Sequence, residues 1–382
     1  MISSARLTKV VLLLLVWSAA NQLVQGQTYT VLHSFSGADG ASPYAGLTLD
    51  SAGNLYGTTL QGGAFGAGTV FKLDSAGNES VLHSFTGGAD GGSPRAGVIL
   101  DSASNLYGTT ANGGASNLGT VFKLDQSNQE TVLHNFGVGH DGRSPWGGLL
   151  LDSVGNLYGT TVGGGAYNWG TIFRVNPNGS ETVIRSFTGV ADGADPRAEL
   201  IRDSAGNFYG TTLEGGIAPG WGTIFKLDPS GTKTVLYSFA GGNGRYPWGG
   251  LVRDSKGNLY GTTSGGGNRL DYGTVFKLNK FGKKAVLHRF TGGADGYWPV
   301  AGLVRDPAGN LYGTTLSGGT SRGGTVFKLD PARTETVLHT FTGRNDGGRP
   351  NAGLIQDSAG NLYGTASEGG TNNLGVVFKI TR

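Results

Sequence analysis

Apolar positions come in runs of four to seven residues, rich in β-branched and aromatic side chains and separated by clusters of Gly, Asn, Asp and Ser. This is the pattern of short strands joined by tight turns. Asp90 to Phe136 holds one complete set, with strands predicted at Gly97–Leu100, Leu106–Thr110, Thr120–Leu124 and Glu130–Phe136, here called A to D. The A–B connection, Asp101 to Asn105, reads D-S-x-G-N in five sister copies, and Gly and Asn accept the positive φ of a hairpin turn. Strand A carries adjacent apolar residues, Val98 with Ile99, Leu149 with Leu150 and Leu303 with Val304. A strand apolar on both faces is covered on both faces, which sheets stacked face to face around an axis achieve.

G-N-L-Y-G-T-T at 53–59 recurs in six further copies, whose tyrosines (Tyr56, Tyr107, Tyr158, Tyr209, Tyr260, Tyr312, Tyr363) are spaced by 51 residues, once by 52. Seven A-B-C sets are present. A D strand at Val31–Phe35 precedes the first of them, and nothing after Phe378–Arg382 can serve the last. The expectation is an all-β, seven-bladed propeller over residues 27–382, with four-stranded antiparallel blades and the N-terminal strand acting as outermost strand of the last blade. Closure of this kind removes exposed sheet edges. The combination of G-N-L-Y-G-T-T with G-T-V-F-K-L resembles the GloVer-type tandem repeat of bacterial exported choice-of-anchor proteins, and P-x-x-G-L-x-x-D-x-x-G-N-L-Y is similar to NHL-type propeller blades. The resemblance implies a surface or secreted bacterial protein. That family usually ends in a sorting segment; here the repeat runs to Arg382, so secretion or periplasmic residence is expected rather than surface attachment.

Residues 1–26 stand outside the repeat. Arg6 and Lys9 precede the apolar run Val10–Trp17, and small residues follow. Eight apolar residues are too few for a membrane span, so the segment reads as a signal peptide cleaved after Ala20 or Gly26, leaving no stable membrane insertion. Removing its two cations leaves 27 basic against 26 acidic side chains, a balance that offers nothing to nucleic acid. There is no cysteine in a chain read as exported, so stability rests on burial rather than on disulfides.

Seven copies in one chain separate scaffold from site. The turn aspartates (Asp50, Asp101, Asp152, Asp203, Asp254, Asp306, Asp357) and the D–A loop Asp-Gly pairs recur in nearly every blade, as turn-capping residues would. His33, His83, His134, His288 and His339 share one D-strand position a blade apart and cannot share a metal. No phosphate loop, G-x-S-x-G or H-E-x-x-H is present, and neither metal nor cofactor is expected. Aromatic residues break the symmetry. D–A and B–C loops should share one rim, and in blades three to six they carry Trp146, Tyr167, Trp169, Trp221, Tyr246, Trp248, Tyr272, Tyr297 and Trp298. Such rings suit stacking on sugars or gripping a partner, or else they cover the ends of the blade interfaces. Six A strands begin with Gly, but the fourth has Glu199, preceded by Arg197 and Asp195. A carboxylate beside a guanidinium at the channel mouth suits acid–base chemistry, or is a structural ion pair. Arg202, Arg253 and Arg305 are placed lower in the channel.

The leading expectation is a monomeric binding module for a carbohydrate or another extracellular ligand. One alternative is a polysaccharide hydrolase or lyase using Glu199 with Arg197, its second carboxylate drawn from Asp195, Glu214 or Asp271. Another is a protein-interaction scaffold of the cell envelope.

Overall fold

The computed structural model describes residues 27–217, 220–267 and 269–382, so the expected signal peptide lies outside the described residues. Seven four-stranded antiparallel sheets stand around a central axis, in sequence order A-B-C-D in six blades. In blade 7 the D strand is Thr28–Ser34, which pairs with Val376–Thr381, Val31 opposite Phe378 and Thr28 opposite Thr381. The two ends of the chain thus share one sheet. Strand A is shorter than expected, with only two paired residues in each blade, such as Ile99–Leu100. The residues before them, such as Ala96 to Val98, line the channel.

Six of the seven letters of the repeated heptad have an identifiable contact. In the first copy the Asp50 carboxylate accepts the Ala52 and Asn54 amides at 2.9 and 2.8 Å, the Asn54 side chain at 2.7 Å and the Tyr56 hydroxyl at 3.1 Å. Leu55 enters the core. A Cβ on Gly57 would come within 2.6 Å of the Phe71 ring, so the glycine lets strand C's phenylalanine lie on strand B, and the same contact recurs in all blades. Thr58 donates to the Ala96 carbonyl of the next blade at 2.9 Å, and Thr59 meets Thr69 of strand C at 2.8 Å. Burial by itself would raise the Asp306 carboxyl; hydrogen bonds from Asn310 and Tyr312 outweigh it and hold the group below its ordinary range. Asp306→Ala strands the partly buried Asn310 amide and the buried Tyr312 hydroxyl and is expected to cost about 1–3 kcal/mol, read from urea unfolding.

The phenylalanines of strands C and D form the core as edge-to-face pairs across each blade boundary, Phe85 with Phe122 and Phe136 with Phe173 both at 5.1 Å. On one rim the D–A and B–C loops of each blade pair with each other, Gly142–Arg143 with Gly163–Gly164 in blade 3 and single bridges such as Ala194 with Glu214 elsewhere. The residue before each loop proline is held at positive φ: Ser42, Ser93, Ser144, Asp195, Tyr246, Trp298 and Arg349, between 51° and 58°. Its amide donates to a carbonyl of the preceding blade, as Asp195 does to Trp169 and Ser42 to Leu374. No helix among the described residues is long and apolar enough to cross a membrane.

Candidate functional site

The residue after that proline enters the mouth of the channel. Going round the ring it is Tyr44, Arg95, Trp146, Arg197, Trp248, Val300 and Asn351. The first five form a ladder of alternating rings and cations. The Arg95 guanidinium lies 5.7 Å from the Tyr44 ring and 4.1 Å from Trp146, and that of Arg197 lies 4.3 Å from Trp146 and 4.2 Å from Trp248. Both faces of Trp146 are therefore occupied by guanidinium groups. The stacking of a sugar on that ring, anticipated from its rim position, is closed off, and the ladder offers its ring edges and N–H groups instead.

The two arginines differ in charge balance. Arg197 reaches Asp195 through Nε at 2.8 Å and Nη2 at 2.6 Å. This corrects the expectation that Arg197 partners Glu199: the ion pair lies within the loop. Among the described residues Arg95 has no carboxylate partner. Burial lowers its pKa, but a guanidinium remains charged in any accessible pH range.

Below the ladder the mouth opens on a cavity of about 450 Å³, lined by small residues and glycines of the A strands. A Cβ on Gly97 would sit 2.5 Å from the Gly46 carbonyl, so glycine is required there, whereas at Gly46, Gly250, Gly302 and Gly353 the nearest backbone atom is 3.4–3.7 Å away; Glu199 lies against Gly148. Glu199 is the only acidic residue lining the cavity. Its side chain keeps accessible area because the channel is hollow, yet protein surrounds it, and this desolvation raises its carboxyl above the ordinary range. Its carboxylate has no hydrogen-bond partner among the described residues.

The remaining aromatic candidates lie farther out. Trp169, Trp221 and Tyr272 share one B–C loop position and pack on Gly189, Gly241 and Gly292 of the next loop, where they anchor glycine-rich turns. Arg245 lies 4.7 Å from Trp221 and is paired with Asp271, while Tyr246 meets Trp221 edge-on at 5.1 Å. Tyr297 sits between Tyr272 and Trp298. Tyr167 is 59% exposed, Trp169 47% and Trp298 44%. Asp195 and Asp271, two of the three carboxylates considered beside Glu199, are thus engaged by arginines; the third, Glu214, bridges to Ala194 through its backbone. Arg202, Arg253 and Arg305 cover the tyrosines of preceding blades, Tyr158, Tyr209 and Tyr260, at 5.7–5.8 Å.

The histidines prove to belong to clusters between blades. His33 bonds Asp39 at 2.9 Å and His134 bonds Asp141 at 3.2 Å, with Glu79 and Glu181 of the following blade beside them. Donor atoms in each of these two groups lie within 4.8 Å of one another, a set able to hold a metal ion, although the His–Asp bond already uses one donor from each residue. Glu130 and Glu335 stand in the corresponding places, and one oxygen of each of the four glutamates is buried without a partner. Elsewhere a donor replaces the glutamate: Lys233 bonds the Asp192 carbonyl, Lys284 that of Asn243, and Tyr29 that of Asp346 at 2.5 Å.

The sequence matches the Gloeobacter/Verrucomicrobia repeat over residues 20–219 and 196–382. No curated protein matches. Among solved structures, the extracellular domain of the two-component system BT4673 of B. thetaiotaomicron superposes with a TM-score of 0.60 at 12% identity, over 92% of this chain and 39% of that one. PorZ, a bacterial surface component of the type-IX secretion system of Porphyromonas gingivalis, does so with a TM-score of 0.53 at 15% identity, over 91% and 48%. The chain spans less than half the length of either, and at these identities the likeness is one of fold.

Proposed function

This chain belongs to the Gloeobacter/Verrucomicrobia repeat family, and from that footing we propose that it is an exported propeller that binds a carbohydrate at the mouth of its channel. The observation that carries this reading is the ladder from Tyr44 to Trp248 standing over a cavity whose single acid, Glu199, is unpaired. Ring edges and guanidinium N–H groups supply fixed donors, and Glu199 supplies an acceptor, a combination that suits the hydroxyls of a sugar. The cavity falls in the ~300–1,000 Å³ range of small-molecule sites, enough for one end of a glycan chain. The leader-like first 26 residues agree with export. On a glycan array, Trp146→Ala with Trp248→Ala is expected to lose at least tenfold in signal while the far-ultraviolet circular dichroism stays that of the wild type. A retained binding profile would remove the mouth from the reading.

A second reading, glycan cleavage, is favoured by the raised carboxyl of Glu199 alone. A two-carboxylate hydrolase needs a partner that the cavity lining lacks. Reducing-end release and unsaturated-product absorbance, measured on a polysaccharide panel with wild type and Glu199→Gln, decide this. Binding without turnover in either protein is the expected result.

A further inference from the structure

The mouth carries an imbalance of charge that a neutral sugar would leave unanswered. Of its two arginines, Arg197 is neutralised by a bidentate contact to Asp195, whereas Arg95 lies against the Tyr44 and Trp146 rings and has no carboxylate partner among the described residues. Packing between the two rings leaves the Arg95 N–H groups without a protein acceptor among the described residues, an arrangement suited to two parallel hydrogen bonds from the guanidinium to an oxyanion. Glu199, the one acid lining the cavity, lies below the ladder, and enclosure raises its carboxyl above the ordinary range, which weakens its opposition to an anionic ligand. On the far side of the ring Val300 and Asn351 add no charge.

We infer that the ligand of this mouth is an acidic sugar, its carboxylate or sulfate held by Arg95 and its hydroxyls by Glu199 and the ladder edges. This rests on the carbohydrate reading above and narrows it. Arg95 is then the specificity-determining residue and Arg197 with Asp195 its support.

The test is an array holding oligogalacturonates, alginate oligomers and sulfated galactans beside neutral glucose, galactose and mannose oligomers, followed by calorimetry on the strongest acidic ligand and on its methyl-esterified or desulfated form. Binding confined to acidic glycans, weakened tenfold or more by neutralising the ligand, is expected; response to the ester or to desulfation tells carboxylate from sulfate. Arg95→Gln should cost a similar factor on the acidic ligand and nothing further on the neutralised one, with Arg95→Lys in between. Equal binding of the acidic and neutralised forms overturns the inference and leaves the carbohydrate reading standing, and needs no variant to fold. Binding to no glycan of either kind overturns both.

Discussion

Removing residues 27–35 is expected to abolish the folded ring rather than to trim it. That segment supplies the outer strand of blade 7 and buries Phe35 completely, with Tyr29, Val31 and Leu32 packed against neighbouring cores. Full burial of a large apolar side chain stabilises by ~1.5–3 kcal/mol, so Phe35 with three partly buried side chains supplies a substantial share of the ~5–15 kcal/mol margin of a typical domain. Loss of the strand also bares the edge of Val376–Thr381, an invitation to pair with another chain. The truncated protein should elute as aggregate and show no cooperative melt, and a synthetic peptide of residues 27–36 should restore part of the transition. A truncated protein with the melting temperature of the full chain would show that the ring does not depend on this seam.

The interblade glutamates should make the ring less stable as pH rises through neutrality. Burial, with the neighbouring Asp39, Asp90 and Asp141 charges, pushes Glu79, Glu130 and Glu181 up to about 7, and burial raises Glu335. A carboxyl whose folded pKa lies above its unfolded value stabilises fully below the unfolded value, here 4.5, and loses that contribution as pH climbs through about 7. Burial depresses His83 and His339 below 6.5, which offsets part of the decline up to that pH. Below 3.8 the trend reverses, because the turn aspartates are held under their ordinary value and lose their bonds when protonated. Lys233 and Lys284, lowered to about 8 by burial, return some stability between there and 10.5. Melting temperature should therefore peak at roughly pH 4–5 and pass through a minimum near pH 8. Replacing the four glutamates by Gln should flatten the falling limb, with a gain at pH 8 of about 1 kcal/mol at each of Glu79, Glu130 and Glu181 after solvent screening. A variant whose profile overlays the wild type would show that these groups are charged in the folded ring at neutral pH.

Much of the architecture was legible because the repeat does the same work seven times. Tyr56 and its six equivalents fixed the blade count, and Val31–Phe35, lacking an A strand before it, announced the seam. The site was legible only in pieces. Searching by residue type brought Trp146 and Trp248 together with Trp169 and Trp221, although the first pair rings the channel and the second pair anchors loops. Arg95 was missed for the same reason: its meaning lies in alternation with Tyr44, Trp146, Arg197 and Trp248 at one position of successive blades, and that order appears when the residue after each loop proline is read around the ring. Nor did chain proximity predict that Glu199 stands unpaired, since the guanidinium two residues before it turns back along its own loop to Asp195.

The left-handed residue before each loop proline has a consequence beyond shape. Because the same main-chain hydrogen bonds form that socket in every blade, it already accommodates serine, aspartate, tyrosine, tryptophan and arginine, whose side chains are left to make different contacts. The rim can be re-equipped one residue at a time while the ring behind it stays unchanged, so new binding preferences can arise here through point changes and without insertions.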